Sequence, residues 1–373
     1  MGIRQWDGGS RRGCLRALAH GALALWAPGL VRAAAPPSDP PAGATKTSGP
    51  PPRPRPNDSG PAYGPHARAR ELAAELDQRH GIERRWSLRA LSQARRVEAV
   101  RRLIMPPPVG VPKNWQAYRD RFVEPVRIDA GLAFWRAHAD WLERAEAQYG
   151  VPPEIVVAIV GVETFYGRIV GRFRVIDALA TLAFDFPPGR KDRSDFFRDE
   201  LAQFLRWCHR EGLDPLEPRG SYAGAIGLPQ FMPSSILKYG IDYDGDGHVD
   251  LRTSGADVVG SVAHYLAEFG WQRGLPTHHA VRPPVDTVNR ALLLAQDIVP
   301  SFTAAQFVER GAELDEAGAQ HEGLLALVEL ENGGAEPTYV AGSANFYVIT
   351  RYNWSSYYAM AVIALAEAVK SAR

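Results

Sequence analysis

Glu163 lies in a segment where a charge is out of place. Ile155, Val156, Ala158, Ile159, Val160 and Val162 precede it, so a helix through them is apolar nearly all round. Residues three and four apart share a helix face. That rule sets Ile159, Val160, Tyr166 and Gly167 beside the carboxylate. Poor solvation penalises the charged form of a carboxyl and raises its pKa. An acid still protonated near neutral pH can donate its proton to a leaving oxygen. The competing expectation is a structural glutamate that points along a groove or pairs with an arginine such as Arg168.

A second segment runs Gly220-Ser221-Tyr222-Ala223-Gly224-Ala225-Ile226-Gly227-Leu228-Pro229-Gln230-Phe231-Met232-Pro233-Ser234-Ser235. Small residues at 223, 224, 225 and 227 let backbone approach a ligand closely. Gln230 offers a donor and an acceptor, which suits sugar hydroxyls and amides. Tyr222 and Phe231 offer flat faces for sugar rings. A glycine-rich connector with core aromatics fits the same composition.

Asp242-Tyr243-Asp244-Gly245-Asp246-Gly247-His248-Val249-Asp250 fits the first nine positions of an EF-hand loop. Carboxylates fall at positions one, three, five and nine and glycine at six, while position seven contributes only its backbone carbonyl, so the His248 ring need not act. The glutamate usual at position twelve is replaced by Thr253. Carboxylates so close repel one another without a cation. Their oxygens suit a structural calcium ion rather than a catalytic transition metal. The alternative is an Asp/Gly turn with no ion.

The elements that must hold these residues are mostly helical in pattern. Helices are expected over His66 to Arg79, Ser87 to Leu103 and Ile128 to Tyr149. Gly150-Val151-Pro152-Pro153-Glu154 starts the helix of Glu163, because proline is tolerated in a first turn. That helix is expected to reach about Tyr166 and stop near Gly167. Further helices are expected at Val175 to Phe184, Ser194 to Glu211, from Pro233, and at Ser355 to Ser371. From about residue 275 to 342 the pattern changes to a small mixed lobe. Ala280 to Pro284, Leu324 to Leu330 and Thr338 to Val340 read as its strands, with a turn at Glu331 to Gly334. Phe346 to Thr350 reads as one more strand. No internal repeat is present.

The N-terminus reads as an export signal over residues 1–33. Arg4, Arg11, Arg12 and Arg16 precede an apolar run from Ala17 to Val31, and Val31-Arg32-Ala33 has the small-residue spacing of a cleavage site. That run is short for a membrane span. Arg11-Arg12 also matches a twin-arginine signal, leaving the export route open. No cysteine follows the apolar run for lipid attachment. Residues 34–65 are rich in Pro, Gly, Ser and Thr and read as a disordered linker. A net charge of +1 gives no sign of nucleic-acid binding. With Cys14 removed, Cys208 is left alone, which excludes a disulfide framework and a cysteine zinc site.

Several motifs, taken together and in order, carry a family resemblance. Gly161-Val162-Glu163-Thr164, Ser221 to Gly227 and Gln230 to Ser235 resemble the lytic murein transglycosylase B family. So do Tyr118-Arg119-Asp120-Arg121-Phe122, Asp177 to Leu182 and Asn345 to Asn353. The resemblance spans about residue 66 to the C-terminus. It implies a mainly α (α+β) fold with a lysozyme-like helical core, and one catalytic domain over 66–373. It implies cleavage of the β-1,4 bond between N-acetylmuramic acid and N-acetylglucosamine, leaving a 1,6-anhydro end. Glu163 is then the single catalytic acid and base. Tyr118, Ser221, Gln230, Tyr352, Asn353 and Tyr358 are expected to line the glycan groove, with core packing a strong competing role for Tyr358. The resemblance closes the calcium site with Asp257, giving Asp242, Asp244, Asp246, His248 and Asp257 in a loop over 242–257. Pro187 to Asp192 departs from the family as an insertion, and Phe196 stands where tyrosine is usual. Arg193 is a candidate for substrate peptide carboxylates. The expected partner is peptidoglycan, with other cell-wall enzymes as further candidates. No organic cofactor is expected. The expected state is a periplasmic monomer.

Overall fold

A computed structural model describes residues 59–106 and 112–373. The expected export signal and most of the expected linker lie outside the described residues. Residues 59–65, placed in the linker above, are folded. Strand β1 (Ser59–Ala62) pairs antiparallel with β2 (Arg95–Val97), and Tyr63 is buried with its hydroxyl donating to Asp185 Oδ2 at 2.6 Å.

Helices α1 (Ala67–His80), α2 (Arg84–Gln93) and α3 (Glu98–Leu103) follow the N-terminal strand. The single helix expected from Ser87 to Leu103 is therefore broken by β2. Tertiary partners take over its backbone: Arg95 N donates to Asp177 Oδ1 at 2.9 Å and Val97 N to Thr181 Oγ1 at 3.0 Å. The next helices are α4 (Trp115–Arg119), α5 (Pro125–Ala137), α6 (Ala139–Tyr149) and α7 (Pro153–Thr164). The helix expected over 128–149 bends at His138, which has φ −126° and ψ 25°. No proline or glycine marks that break. Its ring packs edge-on to Phe134 and fills the space beside Gly255.

Strand β3 (Phe173–Arg174) precedes α8 (Val175–Phe184) and α9 (Ser194–Arg210). Strand β4 (Arg219–Gly220) pairs with β3 and opens the glycine-rich segment. Helices α10 (Pro233–Tyr239) and α11 (Gly255–Glu268) flank the acidic loop. Cys208 is buried, and burial pushes its thiol well up, so it stays a protonated packing residue.

The lobe contains β5 (His278–Arg282), α12 (Thr287–Leu294), α13 (Ala304–Glu309), β6 (Glu313–Leu314), α14 (Glu316–Ala319), β7 (Ala326–Asn332) and β8 (Ala335–Gly342). Its antiparallel sheet has the order β6-β5-β8-β7, with Val328 opposite Val340. Leu325 and Leu327 enter a small core of their own with Leu293, Phe307 and Ala341. Ala326, Val328 and Leu330 face the main core instead. Both faces of β7 are thus covered over its first three residues, which fits the apolar run Ala326-Leu327-Val328 before Glu329 and Glu331 interrupt it.

The chain ends in α15 (Ala344–Tyr352) and α16 (Ser356–Ser371). The strand expected at Phe346 to Thr350 is part of α15. Ser343 caps it by accepting from Asn345 N at 3.1 Å, and Phe346, Val348 and Ile349 are buried in the main core. Their β-branched composition misleads because tertiary packing overrides local propensity. The fold is mainly helical, as expected.

Candidate active site

Helix α7 is buried along nearly its whole length, including Glu163 at 2% exposure. It stops at Thr164, earlier than expected. Phe165 and Tyr166 both adopt left-handed backbone, with φ of 51° and 55°. Strain of this kind persists only where surrounding structure over-determines it. Here Arg127 supplies part of the constraint. Its Nη1 donates to Gly161 O at 2.6 Å, and its guanidinium lies 4.1 Å from the Phe165 ring centroid. Tyr166 turns back under the helix, so that a Cβ on Gly161 would come within 2.5 Å of its hydroxyl. Thr164 Oγ1 donates to Leu228 O at 2.9 Å, tying the helix end to the glycine-rich segment.

Glu163 Oε1 accepts a 2.7 Å hydrogen bond from the Tyr358 hydroxyl. Burial raises the Glu163 pKa to about 7, and the Tyr358 hydrogen bond partly opposes that rise. Arg168 lies over the Phe165 ring instead of pairing with Glu163. Tyr358 sits in the first turn of α16, capped by Ser355, and is fully buried. Tyr352 stacks beside it at 6.3 Å with an interplanar angle of 14°, and its hydroxyl donates to Pro229 O at 2.6 Å. Tyr118, on α4, is half-buried, and its hydroxyl is pushed up to about 12 by burial and by the Glu163 carboxylate. These three tyrosines and Glu163 form one cluster drawn from α4, α7, α15 and α16.

Ser221 and Gln230 lie on the neighbouring segment, but their polar atoms bond to backbone groups, which for Gln230 include Val170 O outside the segment at 3.4 Å. Ser221 Oγ accepts from Ala225 N at 3.0 Å. Gln230 has φ 50° and its Nε2 donates to Gly227 O at 2.8 Å. Gly227 also has a reason other than ligand approach. A Cβ there would lie 2.3 Å from Leu251 O. Phe231 is 2% exposed and packs against Tyr265 and Tyr352 rather than offering an open face. Asn353 is buried at the end of α15, where its carbonyl accepts from Ser355 N at 2.7 Å. Arg193 stacks over Phe196 and Phe197, at 4.5 and 5.5 Å.

Two residues of this region escaped the sequence. Arg127 looks like any surface arginine until α5 packs on α7. Glu200 is a second buried glutamate, raised by burial and opposed by hydrogen bonds from Ser234. Ser234 N and Oγ donate to its two oxygens at 2.9 and 2.6 Å, so Glu200 caps the start of α10. The Pro233-Ser234-Ser235 helix start was the available signal, but its partner is 34 residues away.

The acidic segment folds as a tight, internally hydrogen-bonded loop. Asp242 accepts from Gly245 N, Asp246 N and Gly247 N at 2.7 to 3.0 Å. Asp257 reaches back with both oxygens, each accepting at 2.7 Å, from Tyr243 N and Asp250 N. Asp242, Asp244 and Asp257 place carboxylate oxygens within 4.8 Å of one another. Burial first, and then the charges of Asp244 and Asp242, raise the pKa of Asp257 against its backbone hydrogen bonds. Such a donor set fits a hard divalent cation. Asp246 turns to His248 N, and the exposed His248 ring faces Glu211 at 3.5 Å. Asp250 closes its own turn through Arg252 N and Thr253 N.

Residues 65–367 match the family profile described as "Transglycosylase SLT domain". Membrane-bound lytic murein transglycosylase B of Escherichia coli (strain K12) is 38% identical over 313 residues, covering 82% of this chain and 83% of the relative. The crystal structure of soluble lytic transglycosylase SltB1 from Pseudomonas aeruginosa has a TM-score of 0.74 and 38% identity, covering 82% of this chain and 99% of that one. The Escherichia coli lytic transglycosylase Slt35 in complex with calcium has a TM-score of 0.73 and 36% identity, covering 85% of this chain and 96% of that one.

Proposed function

The chain belongs to the lytic murein transglycosylase B family, and from that premise we propose that Glu163 alone carries both proton transfers of glycan-strand cleavage. The enzyme is a lytic transglycosylase of peptidoglycan. It breaks the β-1,4 bond between N-acetylmuramic acid and N-acetylglucosamine and leaves a 1,6-anhydro end. The observation that carries the single-residue reading is the buried Glu163 carboxyl with its pKa raised to about 7.

Glu163 starts protonated and gives its proton to the glycosidic oxygen as the C1–O bond breaks. Positive charge develops at C1 of the muramic acid, where the substrate's N-acetyl carbonyl can share it. Glu163, now a carboxylate, takes the proton of the sugar's own 6-hydroxyl as that oxygen bonds to C1. The glutamate ends protonated, ready for another turnover. Attack within one sugar ring gains from high effective concentration and needs no activated water. A hydrolytic muramidase would need a second carboxylate to direct water. The one carboxylate in the Glu163, Tyr118, Tyr352 and Tyr358 cluster favours the lyase.

Tyr358 holds Oε1 and stabilises the carboxylate between the two transfers, leaving Oε2 to the substrate. Tyr118 flanks the same point from α4. Tyr352, Ser221, Gln230 and Asn353 frame the groove, chiefly by holding its walls. Asp242, Asp244 and Asp257 would hold a structural calcium ion, which supplies positive charge to the loop between α10 and α11. A relative's complex with calcium supports that reading. Asp246 accepts from His248 N and the His248 ring faces Glu211, so in this reading the trio carries the site and His248 would contribute through its backbone carbonyl alone. Residues 1–33 as an export signal and 34–58 as a tether would carry the folded domain to the periplasmic wall. Among the described residues no helix is long and apolar enough to cross a membrane.

Mass spectrometry of muropeptides released from purified sacculi tests the reading. Anhydro-muramic ends are expected from the wild type, and Glu163→Gln should release them at least a hundredfold more slowly while still binding sacculi. Products with only reducing ends would replace the lyase reading with a hydrolase.

A further inference from the structure

The lobe holds a histidine pair unconnected to the glycan chemistry. A cavity of about 750 Å³ opens where β5, the segment after α14 and the start of α15 meet. His279, Gln320, His321 and Glu322 line it, and it shares no residue with the Glu163 cluster or the acidic loop. His279 comes from β5 and is 5% exposed, while His321 follows α14 and is half-buried. His279 Nε2 and His321 Nδ1 lie 3.1 Å apart.

That separation suits two ligands of one ion. Imidazole nitrogens about 2.0–2.1 Å from a tetrahedral metal stand roughly 3.3 Å from each other. The ring centroids are 5.0 Å apart at 69°, closer than a straight nitrogen-to-nitrogen approach would give. The two nitrogens therefore meet at an angle, as ligands of a shared ion do. The far side of His279 is also arranged for this role. Its Nδ1 lies 3.7 Å from Asp315 Oδ1. Asp315 is itself fixed, accepting from Gly318 N at 2.7 Å and Ala280 N at 2.9 Å. A metal-bound histidine commonly turns its other ring nitrogen to a carboxylate, which sets the tautomer.

We propose that His279 and His321 chelate a divalent transition-metal ion of the zinc class, with the Asp315 carboxylate facing the far ring nitrogen of His279 as its counter-charge. In the free protein one ring gives an N–H to the other's lone pair. On binding, His279 carries its proton on Nδ1 towards Asp315, His321 carries its own on Nε2, and both facing lone pairs go to the ion. The remaining coordination positions open into the cavity, which Glu322 also lines. Imidazole donors favour zinc, cobalt, nickel or copper over calcium, so this site and the acidic loop select different ions. The ion would tie β5 to the chain after α14 and brace that edge of the lobe. This inference is independent of the role given to Glu163.

The test is a cobalt titration of the full-length protein kept in excess calcium, so that the acidic loop does not take up the probe. One equivalent of Co2+ should develop visible ligand-field absorption, and Zn2+ should displace it. His321→Ala should weaken uptake at least tenfold, while His80→Ala, on the exposed end of α1, should leave it unchanged. No absorption in the wild type, or equal uptake by His321→Ala, would overturn the proposal. Proton NMR of the wild type under Co2+ needs no variant. Paramagnetic shifts at His279 and His321 support the site, and shifts confined to exposed histidines refute it.

Discussion

Glu163 and the 242–257 loop are both built on carboxylates, under opposite conditions. Glu163 stands alone at the closed end of α7, with burial raising its pKa to about 7 and one tyrosine hydroxyl opposing. Asp242, Asp244 and Asp257 crowd together, and Asp242 and Asp257 gather backbone N–H groups that favour the charged state. Isolation in an apolar helix makes a carboxyl hold its proton and become an acid. Crowding on a hydrogen-bonded loop sets like charges against one another and adds to burial in raising the Asp257 pKa, a repulsion that a cation would relieve. In the proposed function, the same side-chain chemistry is directed to proton transfer or to ion binding by solvation and neighbours.

The largest expected effect breaks the first region alone. Glu163→Gln should lower strand cleavage at least 10²- to 10⁴-fold, the range for loss of a general acid–base. Muropeptide release measures the loss, and added calcium should shift the melting curves of variant and wild type equally.

The same substitution should raise stability at alkaline pH. The Glu163 pKa is raised from 4.5 to about 7 in the folded chain. Between those values the unfolded state loses a proton that the folded state keeps, so Glu163 costs stability progressively as pH rises from 4.5 to about 7. Above pH 7 the full penalty stands, on the order of 3 kcal/mol. Glu163→Gln should therefore be more stable than wild type at pH 8 and about equal at pH 4, by denaturant titration. An equal difference at both values would show that Glu163 is not held protonated.

The second region is broken by a chelator or by Asp257→Asn. An ion at a hundred times its dissociation constant adds about 2.7 kcal/mol. Its removal should lower the melting temperature by roughly 5–10 °C. The pH–rate profile of the remaining folded enzyme should not move, because the loop acts through stability rather than on Glu163.

The smallest effect sharpens the comparison. Tyr358→Phe removes the hydrogen bond that favours the Glu163 carboxylate. Activity should fall as pH rises through about 7 in the wild type, and in the variant that descending limb should move up by about one pH unit. A limb shifted downward would mean that Tyr358 acts in some other way.

Much of the fold was legible because local signals were strong. Pro152-Pro153 placed the start of α7, and α8 spans the expected Val175 to Phe184. Legibility failed where the deciding partner was distant. Arg95 and Val97 bond to α8 some eighty residues on, and so break a helical pattern. The 346–350 segment has strand-like composition but buries itself as helix under Ser343. At the site, the motifs named Glu163 and Tyr358 together, but their 2.7 Å contact spans 195 residues.

The sequence by itself determined that one glutamate would lie in apolar surroundings and that a cluster of aspartates would form a glycine-turned loop. Both follow from residue types at short spacing, which fix local solvation and turn geometry. Only the tertiary structure decided what these groups face. It put Tyr358 on Glu163 and bent the helix end at Phe165 and Tyr166 under Arg127. It turned Gln230 and Ser221 to backbone groups, brought Asp257 to Asp242 and Asp244, and brought His279 to His321. Those outcomes depend on packing between elements far apart in the chain, where the cost of an unpaired buried polar group selects the partner.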